Sequence, residues 1–225
     1  MEESKKIIFF ALRHGDSEAM KEGVIASNPT ECIENYGLTQ NGRKQACNAA
    51  CHFFEQKKED LLNHSAVCVR VISSDFKRAA ETAALFTETL NDLIKKNLSK
   101  ESEERYNPIN VTHDILLRER YFGEYDKTPI DNYQKIWTND EMDESQEICG
   151  VESCIHVAER ARNLINRCSK EATSFEKQFV IFVSHGDTLQ IMSTLFNSLS
   201  PGKHRHLPHL PTAELRTLGE WASKD

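Results

Sequence analysis

Arg13-His14-Gly15 near the start of the chain and Ser184-His185-Gly186 near its end each place a histidine directly before a glycine. Between them stands Ser73-Ser74-Asp75, with Arg78 three residues on. Arginine forks match phosphate oxygens in pairs, and imidazole can serve as nucleophile, acid or base near neutral pH. Two permanent cations and two titratable rings repel one another unless they surround a dianion, and a phosphoryl group is the natural one. Gly15 and Gly186 would let the backbone turn sharply and come close to such a ligand.

Residues more than 170 positions apart need a scaffold that brings them together. Ile7–Leu12, Val67–Ile72 and Phe179–Val183 read as short buried strands; the first and last are continuously apolar, as in a parallel sheet covered on both faces. Arg70 makes the middle one the weakest of the three. Helical patterns follow. One runs from Thr39, a natural N-cap, to about Gln56, and a second from Phe76 to about Lys96, with Asp75 placed to cap it. A third runs from about Val151 to Ala172, and a fourth follows Thr188. Ala213–Leu218 reads as a last, edge strand.

Alternating strands and helices predict an α/β three-layer sandwich with a mostly parallel central sheet and helices on both faces. In such a sheet all three site segments fall at the carboxyl ends of strands, where ligands bind and helix N-termini offer N–H groups. Lys95–Pro108 reads as a polar surface connection and Thr138–Glu147 as a solvated acidic segment. With no repeat or linker, residues 1–225 read as a single domain.

The 225 residues carry a net charge of −7, which argues against a broad basic face for nucleic acid. No apolar run approaches the roughly 20 residues of a membrane helix, and MEESKK is too polar for a leader. Seven scattered cysteines without a C-x-x-C pair predict reduced thiols in a cytoplasmic protein, with Cys47 and Cys51 packing as small hydrophobes on one helix face. His204–His209 (HRHLPH) resembles a metal-ligand spacing, but no Cys or acidic ligand lies nearby in sequence, so a loop is the plainer reading. Lys203, His204 and Arg205 could instead line the cleft.

The motifs together resemble the histidine phosphatase superfamily, the phosphoglycerate mutase-like group. LRHGDSE matches its signature, GLTQNGRKQA (37–46) its first helix start and SSDFKRAAETA (73–83) its second arginine motif. LLRERYFGEYD (116–126) matches its acid motif and VSHGDTLQ (183–190) its second histidine motif. The motifs stand in family order over about residues 7 to 190.

The resemblance implies that His14 is a nucleophile that becomes phosphorylated, with Arg13, Arg78 and His185 holding the phosphoryl oxygens. Glu119 would be the proton donor, with Glu124, Asp126 and Asp187 as rival acids, although Asp187 also fits helix capping. Arg120 matches a substrate-touching position, and Ser17 and Gly186 would also meet the substrate. No metal or other cofactor is implied, because the arginines supply the positive charge.

Many relatives carry an asparagine six residues after the first histidine; Met20 stands there, so Ser17 or Asn28 must serve instead. The mutase substrate loop and its paired arginines are also missing. These departures favour a phosphatase acting on a small phosphate ester, with a phosphoglycerate or bisphosphoglycerate mutase and a non-catalytic phosphoester- or phosphoprotein-binding module as alternatives.

Overall fold

The computed structural model describes residues 6–63, 67–171 and 175–221. Along the chain come β1 (Lys6–Arg13), α1 (Glu18–Glu22), α2 (Pro29–Cys32), α3 (Gln40–Leu62), β2 (Val67–Ser73), α4 (Lys77–Asn97), α5 (Lys100–Arg105) and β3 (Val111–His113). There follow α6 (Tyr133–Met142), α7 (Cys154–Lys170), β4 (Lys177–Ser184), α8 (Gly186–Phe196) and β5 (Leu215–Gly219), with short 3-10 turns in the connections. The sheet order is β3-β2-β4-β1-β5; the first four strands are parallel and β5 runs antiparallel to β1 on the edge.

The unbroken apolar runs of β1 and β4 follow from burial on both faces. Phe10, Leu12, Phe179, Ile181 and Val183 point into a core with Ala50 and Phe53 of α3 and Ala83, Phe86 and Leu90 of α4. Their neighbours Phe9, Ala11, Val180 and Phe182 point the other way, onto Ala161, Leu164 and Ile165 of α7 and Leu189 and Met192 of α8. Period-2 alternation thus feeds two cores rather than one core and solvent. Each fully buried Phe, Leu or Ile contributes about 1.5–3 kcal/mol.

Thr39 caps α3 as the sequence predicts, its hydroxyl accepting from the Gly42 amide at 3.1 Å. The start of α3 then locks the turn after β1. Asp16 receives the Thr39 hydroxyl on its carboxylate at 2.7 Å, and its amide donates to Gln45 at 2.8 Å. The two backbones touch here: a Cβ on Gly42 would sit 2.0 Å from the Asp16 carbonyl oxygen, and one on Gly15 would sit 2.6 Å from that of Gly42. Gly42→Ala is therefore expected to destabilise the fold by about 1–3 kcal/mol, as overpacking does. A denaturant midpoint that does not fall would contradict this.

Several expectations are corrected. Asp75 does not cap α4; its carboxylate takes both arms of Arg118, at 2.8 and 2.6 Å, and the Phe76 amide bonds the Ser74 hydroxyl instead. Lys95–Pro108 is not plain connection: it contains the end of α4 and all of α5, and it leads into β3, which the sequence reading missed. Acidic Thr138–Glu147 is half helix, the end of α6, and its Asp140 is buried. Cys47 is half-buried and Cys51 exposed, so the pair does not pack inside; all seven thiols are free. The predicted α7 end at Ala172, like MEESK at the start, lies outside the described residues. Among the described residues no helix is long and apolar enough to cross a membrane.

Candidate active site

The carboxyl ends of the parallel strands deliver the site. β1 ends in Arg13 and leads to His14, β2 ends in Ser73 and leads to Ser74, and β4 ends in Ser184 and leads to His185. β3 leads to Glu119, the acid candidate. The Asp114 amide bonds the Ser73 carbonyl at 2.8 Å, and the turn over Ile115–Leu117, anchored by the Ser184 hydroxyl on the Leu117 carbonyl at 2.6 Å, carries the chain to Glu119.

His14 is buried and has a defined tautomer. Its Nδ1 lies 2.7 Å from the Gly15 carbonyl oxygen, which can only accept, so Nδ1 bears the proton and Nε2 the lone pair. Arg78 Nε donates to that Nε2 at 3.2 Å. Burial, with Arg78 and Arg13 nearby, holds the His14 pKa well below the usual imidazole range, so the ring stays neutral. Arg78 is fixed from behind, its Nη2 donating to the Ala26 carbonyl at 2.9 Å.

His185 sits with its ring centre 5.2 Å from that of His14. Its Nε2 lies 2.9 Å from the Ser74 hydroxyl, which accepts from the Phe76 amide and has no other acceptor for its own proton among the described residues, so it donates to the ring. The His185 proton is therefore on Nδ1. Burial and the charge of Arg78 depress this histidine as well.

Arg13 is held by the Leu210 carbonyl at 2.9 Å and by His209 at 3.3 Å, both on Nη1. Four buried polar atoms near His14 have no partner among the described residues: Arg13 Nε, Ser17 Oγ, Arg78 Nη1 and His185 Nδ1. Stranded donors of this kind are costly unless a ligand meets them.

A cavity of about 400 Å³ is lined by Arg13, His14, Ser17, Arg78, Glu119 and Gly186, while His185 is buried beside His14 and does not line it. Glu119 Oε1 is tethered by the amides of Arg120 (2.9 Å) and Thr188 (3.2 Å), which leaves Oε2 for chemistry. Burial first, and the charge of Asp187 second, raise the Glu119 pKa above the ordinary carboxyl value.

The other expected residues divide. Ser17 lies in the cavity with Met20, whereas Asn28 does not line it and spends its side chain accepting from the Thr30 amide. Asp126 staples Ser27 and Asn28, and Glu124 is exposed, so neither is placed as the acid. Asp187 lines the cavity but caps nothing: both its oxygens accept from the Trp137 indole, at 3.1 and 2.9 Å.

Arg120 is the clearest correction, because it does not reach the cavity. It is fully buried and forked onto Asp140 at 2.6 and 2.7 Å, with its Nε on the Glu152 carbonyl at 2.6 Å. Asp140→Ala would strand this guanidinium and is expected to cost about 3–5 kcal/mol, readable as a lowered denaturant midpoint. A shift under 1 kcal/mol would contradict that role.

Of the basic loop, Arg205 and His209 line the cavity; His204 is buried behind it and Lys203 is exposed. The fold also brings Cys154 and Asp140 to His204, with ligand atoms within 4.8 Å of one another, a proximity the sequence spacing hid. A cation fits poorly there. Arg120 already covers both Asp140 oxygens, and burial pushes the Cys154 thiol far up.

Sequence reasoning missed Tyr133, Trp137, Gln190 and His209, all on the cavity wall. Their signals are slight: Gln190 ends the 183–190 motif, Tyr133 and Trp137 are an i, i+4 pair of aromatics on α6, and His209 stands in a proline-rich loop.

The histidine phosphatase superfamily (branch 1) profile matches residues 9–223. The chain belongs to this superfamily. Among solved structures with the histidine phosphatase fold, the vanadate complex of a mycobacterial glucosyl-3-phosphoglycerate phosphatase superposes with a TM-score of 0.68 at 20% identity, over 92% of this chain and 90% of that one. A putative alpha-ribazole-5'-phosphate phosphatase from Escherichia coli gives 0.59 at 18% identity, over 93% and 88%. The alpha-ribazole phosphatase of Shigella flexneri gives 0.58 at 18%, over 92% and 88%. No curated protein sequence matches the chain.

Proposed function

We propose that this histidine phosphatase hydrolyses small phosphomonoesters through a phosphohistidine on His14. The observation that carries the reading is the set of four partnerless donors gathered around a neutral imidazole whose Nε2 bears the lone pair. In this reading Arg13 Nε, Arg78 Nη1, Ser17 Oγ and His185 Nδ1 are the donors to the phosphoryl oxygens, and Ser17 takes the place of the donor lost at Met20.

In the first step Nε2 attacks phosphorus, Arg78 Nε shifting from the lone pair to a phosphoryl oxygen. The ester P–O bond breaks, and the proton on Glu119 Oε2 passes to the departing alkoxide. In the second step Glu119, now a carboxylate, takes a proton from water; the oxygen attacks phosphorus and the N–P electron pair returns to His14. Splitting one displacement into two lowers each barrier, while the arginines compensate the charge that develops. The cavity has the size of small-molecule sites, which supports a small ester rather than a phosphoprotein surface.

Phosphate release from a panel of phosphomonoesters in EDTA tests the reading. Turnover that persists in the chelator is expected. Loss of all turnover in EDTA would end the claim of metal independence, and isomerisation of phosphoglycerates outpacing hydrolysis would make the protein a mutase. Arg78→Ala is expected to lower kcat/KM by about 10²–10³-fold, as loss of one preorganised donor does; a loss under tenfold would remove Arg78 from the reaction.

A further inference from the structure

Three residues of the cavity lining, Arg205, Trp137 and Tyr133, form a stacked column. Arg205 lies over the Trp137 ring at 3.8 Å, Trp137 is parallel to Tyr133 (5.3 Å, 9°), and Tyr133 meets Phe122 edge-on at 5.0 Å. The column is pinned from behind. The Trp137 indole donates to Asp187, and Gln190, oriented by its amide on the His204 carbonyl at 3.3 Å, accepts from Arg205 Nη1.

A guanidinium stacked by its face keeps its N–H edge for in-plane partners. Among the described residues only Nη1 has a hydrogen-bond partner; Nε and Nη2 have none and are not stranded from the open cavity, since the side chain keeps 28% of its exposure. The phosphoryl donors are complete without Arg205.

The acids nearby do not use up its charge. Asp187 is bound by Trp137 and stands 3.7 Å from Arg120 and 4.0 Å from Arg205 Nη1, Glu119 is held toward its neutral form, and Asp131 is exposed at the rim. Partial burial first, then the charges of Arg13, Arg205 and Arg216, hold His209 below the usual imidazole range.

We infer that Arg205 receives a carboxylate on the leaving group, so that the preferred substrates are small phosphomonoesters with a carboxylate as their second anion. This rests on the hydrolase reading and adds its leaving-group subsite. The apolar side chains of Met20, Val24 and Ile130 would face the carbon skeleton between the two anions.

Two matched pairs test it: phosphoglycolate against 2-hydroxyethyl phosphate, and 3-phosphoglycerate against glycerol 3-phosphate. Within each pair a carboxylate is exchanged for an alcohol. The wild type is expected to favour the carboxylate by tenfold or more in kcat/KM in at least one pair. Arg205→Gln is expected to cut that preference at least tenfold, mainly through KM, with Arg205→Lys intermediate. A purely structural role for Arg205 would lower both members of a pair by the same factor, and that result overturns the inference, as does a wild type without the preference in either pair. Calorimetric binding of the same esters to His14→Ala reads the subsite without turnover. Carboxylate preference in binding with no hydrolysis by the wild type would therefore overturn the hydrolase reading alone.

Discussion

His14→Ala is expected to lower phosphate release by at least roughly 10⁴-fold, because removing a covalent nucleophile removes the pathway rather than one of its supports. The effect should fall on kcat, with the variant still binding inorganic phosphate, since the Arg13, Ser17 and His185 donors are separate from the ring. The loss should also be equal for esters with good and poor leaving groups. A variant that retains a tenth of the wild-type rate would show that water attacks the ester directly and that His14 only orients it. His14→Gln serves as a check on packing, because it fills more of the buried space than alanine.

Glu119→Gln is expected to give the second largest effect, and one that depends on the leaving group. For an alkyl ester the departing alkoxide needs the Oε2 proton, and about 10²–10⁴-fold should be lost. For p-nitrophenyl phosphate the first step needs no proton, so the phosphoenzyme should form quickly and then wait for water, giving a burst of nitrophenol before a slow steady state.

The pH profile carries the sign of the shifts. His14 must be neutral, and its depressed pKa keeps it so well below pH 6.5; Glu119 must be protonated for the first step, and its raised pKa keeps it so above pH 4.5. Activity should fall as pH drops through the lowered histidine value and as it rises through the raised carboxyl value. Glu119→Gln should lose the alkaline limb that belongs to Glu119. Retention of that limb would assign it to another group.

Strands and site were legible from the sequence to different depths. The two central strands declared themselves through unbroken apolar runs, because both faces are buried. Arg13, His14, Arg78 and His185 followed from their places at strand ends and in the first turn of α4. β3 stayed hidden because it has three residues, pairs only with β2 and exposes its outer edge, so neither periodicity nor apolarity marks it. Yet β3 is what carries Glu119 to the site edge.

Arg120 misled for the opposite reason: its neighbours in sequence belong to the site, while its side chain turns away to Asp140, twenty residues on. The cavity wall was illegible because Trp137, Gln190 and Arg205 come from α6, α8 and a loop, and their stacking depends on the approach of three elements with no shared motif.

The central claim is a covalent phosphohistidine, and the most direct measurement is to trap it. Glu119→Gln, mixed in EDTA with an ester labelled in its phosphoryl group and quenched in alkali, should carry label that survives base, is lost in acid and maps to the peptide bearing His14. Label on any other residue, or wild-type turnover in EDTA with no label trapped in the variant during an observed burst, would contradict the account.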